Sequence, residues 1–374
     1  MKVRLGNYIR EYSKRNKQDS NIPVYSVTNS QGFVSEYFYK EVASKDKTTY
    51  KLVPKGYFAY NPSRINVGSV DFQRKEDCVI VSPLYVVFHV SDELDKNYLL
   101  YYLKSQPTLC QIKHVATGSV RDNLKFSYLA DFSIELKPLD EQKTIAKTLQ
   151  HIETLIALYK KQLAKLEELV KCRFFEMFIG KGYPRRELQS LIQDGTSISY
   201  GIVQPGDDGT GNIGLLRPVD FHNGSVVLDN LKYIGEAISN LSRKTILEGN
   251  ELLITVRGTT GLTALTNSNH RGMNVTRGIA VVRYDGSKIV PEYLHAFMSS
   301  DESQTYIREH TRGATLQQIN LSDLRIQSIL VPPFVEQQTF ADFVSLIDKL
   351  RFDVQAALDK AQTLFDSLMQ EYFG

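Results

Sequence analysis

The longest regular pattern of apolar and polar positions lies in the middle of the chain. In LDEQKTIAKTLQHIETLIALYKKQLAKLEEL, residues 139–169, and just beyond it, apolar side chains recur at Ile145, Leu149, Ile152, Ile156, Tyr159, Leu163, Leu166 and Val170. Steps that alternate between four and three put these side chains on one narrow helical stripe, the seam that a coiled-coil partner covers. No Pro or Gly interrupts residues 141–178, and Leu, Lys, Glu, Ala and Gln dominate there, so the pattern predicts one continuous helix. At 1.5 Å per residue it would run roughly 57 Å, more than one small core can cover. A second helix is required.

That helix is found by sliding the chain along itself. A shift of 195 residues aligns Tyr98–Phe178 with Tyr293–Phe373 without a gap. NYLLYYLKSQ meets EYLHAFMSSD, TGSVRDNLKFSYLADFSI meets RGATLQQINLSDLRIQSI, and LKPLDEQKTIA meets VPPFVEQQTFA. The seam recurs at Phe340, Val344, Ile347, Val354, Leu358, Phe365 and Leu368, with Arg351 and Ala361 as polar and small interruptions that predict less even packing. The chain is a duplication.

Shorter patterns fill the remainder. IPVYSVTN, GYFAYNP and CVIVSPLYVVFHV read as strands before a helix near residues 95–106, and ELLITVRG, GIAVVRYD and IQSILVP read as strands around a helix in PEYLHAFMSSDESQTYIREH. GKGYPRREL closes the first long helix. The predicted class is α+β, in four segments: a globular unit at 1–138, a heptad helix at 139–182, a second globular unit at 183–333 and a second heptad helix at 334–374.

Composition adds little until charge is divided by half. Residues 1–183 carry 28 Lys and Arg against 20 Asp and Glu, whereas residues 184–374 carry 17 against 22. The first half suits a polyanion partner. In the second, Arg243, Arg257, Arg271, Arg277, Arg283, Arg308 and Arg312 gather near glycine turns such as RGTTG and RGMN, and Arg with Thr, Asn and Gln on loops is suited to base and phosphate contact. Three scattered cysteines suggest neither disulfides nor zinc. There is no run of 18 apolar residues and no signal-peptide pattern, so a cytoplasmic location is expected.

Catalytic motifs are not evident. The histidines lack HExxH spacing, GDDGTGNIG lacks the Gly-Lys-Ser/Thr of a nucleotide loop, and G-x-S-x-G does not occur. YNPSRI has Ser63 and Arg64 where an amino-methyltransferase motif has a second proline and an aromatic. PLDEQK resembles a nuclease cluster, but its repeat, PFVEQQ, loses both the aspartate and the lysine. What survives in both copies is Pro, Glu and Gln at a helix start, which is structural chemistry.

The duplicated order of globular unit and heptad helix, with KPLDEQKTIAKTLQHIETLIALYKKQLAKLEELVKCRFFEMF in the middle and PPFVEQQTFADFVSLIDKL in the distal copy, resembles the specificity subunit of type I restriction-modification systems. ISYGIVQPGDD, LLITVRGTTG, TGSVRDNL and RGATLQQINLSDL add to the likeness, which spans essentially the whole chain. The resemblance implies two target recognition domains joined by two long antiparallel helices in a pseudo-twofold arrangement. Each domain would read one half of a split DNA target. The helices would act as a ruler, allowing at most about 17 base pairs between half-sites.

On that reading Tyr25, Asn29, Gln31, Asn61 and Arg64 are candidate base readers in the first domain, and Ser199, Tyr200, Gln204, Arg257, Thr259, Thr260 and Arg271 in the second. Lys55, Arg121 and Arg312, beside glycines or in loops, suit phosphate contact. The resemblance further implies two methyltransferase subunits carrying S-adenosylmethionine, a restriction and translocation subunit, and no cofactor or catalysis in this chain. Phe174, Phe175, Met177, Phe178, Phe365, Leu368, Met369, Tyr372 and Phe373 are candidates for the partner-docking surface. The rivals are a coiled-coil scaffold without DNA specificity and an enzyme with an unrecognised site.

Overall fold

A computed structural model of the chain describes residues 1–18, 21–35, 46–116, 123–204, 206, 211–222, 224–313 and 316–374. Arg121 and most of the GDDGTG turn lie outside them. The chain divides into two compact units, Met1–Lys160 with Ala356–Gly374, and Lys161–Gln355. Each unit therefore owns a globular segment and parts of both long helices.

The first unit is built on a four-stranded antiparallel sheet in the order Ile9–Glu11, Val86–Val90, Phe58–Tyr60, Val70–Phe72. Its middle strands are apolar at consecutive positions because a core lies on each face. Phe58, Tyr60, Val86 and Phe88 pack with the helices, while Ala59 and Val87 face Val27, Val53, Val79 and Val81. Pro83 falls in the turn that divides CVIVSPLYVVFHV into Cys78–Val81 and Val86–Val90.

The second unit repeats this plan. Its sheet runs Ser199–Tyr200, Ile279–Val282, Leu252–Thr255, Thr263–Leu265. Leu252, Ile254, Ala280 and Val282 face the helices, and Leu253, Ala264, Ile279 and Val281 face a second core with Leu216, Phe221 and Val275. The helix read from PEYLHAFMSSDESQTYIREH is two helices, Pro291–Met298 and Asp301–His310. The break is local chemistry: the Ser300 hydroxyl caps the second helix by accepting from Ser303 N.

The long helices are Leu139–Phe178 and Phe334–Phe373, 40 residues each. Asp140 and Glu141, or Glu336, occupy their first turns, where the helix dipole favours negative charge. Gly180 and Gly182, at φ 80° and 69°, turn the chain away after the central helix. Every central seam position is buried or half-buried. In the distal helix Arg351 and Ala361 are half-buried, so the stripe keeps its register through both.

Pairing within each unit fixes the helix direction. In the first, Ile145, Ala146 and Leu149 share a core with Phe365, Leu368, Met369, Tyr372 and Phe373. In the second, Val170, Phe174, Met177 and Phe178 share one with Phe340, Ala341 and Val344. The start of each helix meets the end of the other, which is the antiparallel arrangement.

These contacts also correct the proposed docking surface. Phe174, Phe178 and Phe373 are buried, and Met177, Phe365, Leu368, Met369 and Tyr372 are half-buried against the globular cores. Of the nine, only Phe175, 65% exposed, stays open. Ring packing explains why: Phe373 lies 5.0 Å from Tyr98, and its repeat Phe178 lies 4.8 Å from Tyr293.

The repeat holds at the level of single atoms. The Gln142 carboxamide accepts from Asp95 N at 2.8 Å and donates to Lys137 O at 2.8 Å. Gln337, 195 residues later, accepts from Val290 N at 2.9 Å and donates to Pro332 O at 2.8 Å. Tyr98 donates to Glu135 O at 3.0 Å, and Tyr293 to Leu330 O at 2.8 Å. Burial raises both phenol pKa values, so both rings stay neutral donors.

Replacing Gln337 with Leu leaves the buried Val290 N–H without its acceptor and should cost about 1–3 kcal/mol in urea unfolding. An unchanged midpoint would show that the carboxamide is dispensable. Phe178→Ala and Phe373→Ala should each cost about 3–5 kcal/mol. A large loss from only one would contradict their equivalence.

Candidate nucleic-acid interface

In the second unit four short segments meet at one end of the sheet. Strand Leu252–Thr255 runs into 256–262, where Gly258 and Gly261, at φ 84° and 88°, let the backbone double back. Gly261 N donates to Thr255 O at 2.8 Å and Gly258 N to Gln317 O at 2.9 Å, while Ile319 N donates to Val256 O at 3.0 Å. Thr260 and Thr311 hydroxyls lie 3.2 Å apart. From the edge strand Ser199–Tyr200, Gly201 enters so closely that a Cβ would sit 1.9 Å from Val275 O. Ile202 N bonds Val275 O at 2.9 Å, and Arg277 N bonds Ile202 O at 2.8 Å.

The backbone here is tied down and the side chains are open. Tyr200 is 52% exposed, and Gln204, Thr259, Arg277, Gln317 and Gln318 are also exposed, with Ser199 and Arg257 half-buried. Arg312 is exposed, its guanidinium 3.9 Å from Asp323. None of the described residues in segments 199–204, 256–262, 276–278, 311–313 and 316–319 is acidic. Segments that present Arg, Thr, Gln and Tyr and carry no acidic residue of their own offer hydrogen bonds to base edges and cations to phosphates.

Arg271 is elsewhere. It lies in the turn after Thr263–Leu265, where Gly272 N bonds Leu247 O, at the opposite end of the sheet. Arg283 is also removed from the interface. Its guanidinium is held 2.7 Å from the buried Glu251 carboxylate, which accepts from Gly249 N and Asn250 N and makes a compact structural knot.

In the first unit the equivalent loop, 61–69, leaves strand Phe58–Tyr60. Leu124 N bonds Pro62 O at 3.1 Å, matching the bond from Ile319 N to Val256 O in the second unit. Tyr60 donates to Leu124 O at 3.1 Å, and burial raises its pKa so that it remains a neutral donor. The Asn61 side-chain oxygen accepts from Ser63 N and Oγ at 3.2 and 2.9 Å, so it shapes the turn. Arg64 is exposed on that turn.

The other first-unit candidates scatter. Asn29 and Gln31 sit on the exposed tip of the hairpin Ser26–Thr28 and Gly32–Val34. Gly32 is wedged there, since a Cβ would lie 1.9 Å from Asp71 Oδ2. Tyr25 is half-buried, 6.4 Å from Phe33. Lys55 is exposed in a turn closed by its N–H to Asp77 O, at the opposite end of strand Phe58–Tyr60 from Asn61 and Arg64.

Comparison with known proteins decides the family. The model of the type I restriction modification DNA specificity domain matches residues 5–168 and 208–360. The chain belongs to this family. The specificity subunit of the EcoBI type I restriction enzyme from Escherichia coli is 25% identical over 94% of this chain and 84% of its own length. The putative MjaX specificity subunit from Methanocaldococcus jannaschii is 22% identical over 90% and 83%. In fold, the chain is similar to one solved in a study of complex assembly and conformational transition of the type I R-M system, with TM-score 0.60, 16% identity, and coverage of 100% of this chain and 97% of that one. The type I S subunit from M. genitalium gives TM-score 0.59 at 15% identity, covering 100% and 96%. This chain is a specificity subunit, a non-catalytic component that selects DNA sequence, with two specificity domains for a two-part target.

Sequence reasoning passed over Gln317 and Gln318, and named Arg277 without choosing it. Their common signal is position: TRG at 276–278 directly precedes a strand, and LQQI follows the pre-helix loop. Arg257→Ala should lower affinity for target duplex roughly ten-fold, as for loss of one good base contact. Arg271→Ala should leave affinity within two-fold by the same titration. The reverse order would move the interface to the other end of the sheet.

Proposed function

We propose that each unit reads its half-site through the loop end described above, and that the two 40-residue helices set the gap. The carrying observation is the shared bond that fastens the pre-helix segment to the inter-strand loop, Leu124 to Pro62 and Ile319 to Val256, at equivalent ends of equivalent sheets. The loops themselves differ in sequence, so the half-sites differ. Helices about 60 Å long limit the spacing to roughly 17 base pairs.

The partners are two adenine methyltransferase subunits carrying S-adenosylmethionine and a restriction and translocation subunit, all acting on DNA in the cytoplasm. Support for two copies of one partner comes from the outer helix faces. Leu155 and Leu350, and Leu169 and Leu364, are exposed pairs 195 residues apart. Among the described residues no group of three or more His, Cys, Asp and Glu could hold a metal ion, and no helix is long and apolar enough to cross a membrane.

The test is a map of N6-methyladenine in DNA from a methylation-free bacterial host expressing this chain with the methyltransferase encoded beside it. A two-part motif with a fixed gap, lost when this chain is omitted, is the expected result. A soluble complex that methylates nothing would overturn the reading in favour of a scaffold.

A further inference from the structure

Within the second unit the turn 275–278 is clamped by backbone bonds from three sides. Thr276 N bonds Leu216 O at 3.0 Å, Arg277 N bonds Ile202 O at 2.8 Å, and Val256 N bonds Gly278 O at 2.8 Å. Three separate segments thus hold three consecutive residues. There is no slack around them, since a Cβ on Gly278 would lie 2.8 Å from Pro218 Cγ. The side chain between these anchors behaves in the opposite way. Arg277 is exposed, and among the described residues its guanidinium has neither a hydrogen-bond nor an ion-pair partner.

A fixed backbone that presents a free planar donor fork is preorganised for a bidentate acceptor, because little is lost on ordering it. On the major-groove edge of DNA, the bidentate acceptor for Arg is guanine, through O6 and N7. Two nearby arginines of this unit, by contrast, are committed to carboxylates. Arg217 grips Asp220 at 2.7 Å and Arg283 grips Glu251 at 2.7 Å. The corresponding turn of the first unit, residues 82–85 before strand Val86–Val90, exposes Leu84 and carries no cation.

We propose that Arg277 is a specificity-determining residue that reads a guanine in the half-site of the second unit, and in that half-site alone. This rests on the DNA-reading function proposed above and adds a base identity to one position of one half.

The test is selection of bound duplexes from a randomised pool by the full-length chain, its Arg277→Ala and Arg277→Lys variants, and Arg64→Ala as a first-unit reference. Arg277→Ala should remove the preference for one G·C pair in one half-site and weaken binding to the best sequence roughly ten- to a hundred-fold. Arg277→Lys keeps the charge but loses the fork, so it should flatten the same position while preserving salt dependence. Arg64→Ala should leave that position intact. Unchanged base preferences would overturn the assignment. So would a uniform loss for all sequences with a shallower salt dependence, the signature of a phosphate contact. A wild-type chain that selects no sequence would instead bring down the DNA-reading function itself, and this assignment with it.

Discussion

A buried carboxamide at the first turn of each long helix ties the architecture together. Gln142 is 0% exposed and Gln337 1%, so every polar atom on them needs a partner inside the protein. A carboxamide can meet that demand because it carries an acceptor and two donors on one rigid group. Gln142 donates to Glu93 O and Lys137 O and accepts from Asp95 N. Asp95 in turn caps helix Lys96–Lys104, which carries the Tyr98 ring that receives Phe373. One side chain thereby fixes the angle at which a helix leaves its globular segment and the surface on which the other helix ends. Leu or Glu in its place lacks either all the polar atoms or the donors.

That constraint leaves function to the loop ends. The middle strands of both sheets lie between two cores and have no face open to a ligand. What remains is the set of connections at the strand ends, held by backbone hydrogen bonds and lined by polar side chains. Two such ends on one duplicated plan, with different loops, are a direct physical route to a two-part target of unlike halves.

The helices and the repeat were readable in the sequence because both depend on period, and period survives substitution. The Pro, Glu and Gln shared by PLDEQK and PFVEQQ could be recognised as structural, though not that glutamine was the working member. Arg257 and Thr260 were accessible through the glycines around them. That Arg271 falls at the other end of the sheet was not legible, because a strand-turn-strand pattern does not say which end a turn occupies. Asn61 was ambiguous because the same amide oxygen can bond a base or its own turn, and here it bonds Ser63. The phenylalanines at the helix ends were read as a docking surface because a hydrophobic stripe does not name what covers it.

The most direct measurement of the central claim is hydrogen exchange on the full chain with and without a duplex carrying its mapped target. The account predicts slowed exchange at 61–69 in the first unit and at 256–262 and 276–278 in the second. Scrambling one half-site should release protection in one unit and leave the other unchanged. Protection at the Lys55 and Arg271 ends, or loss from both units when a single half-site is scrambled, would contradict it.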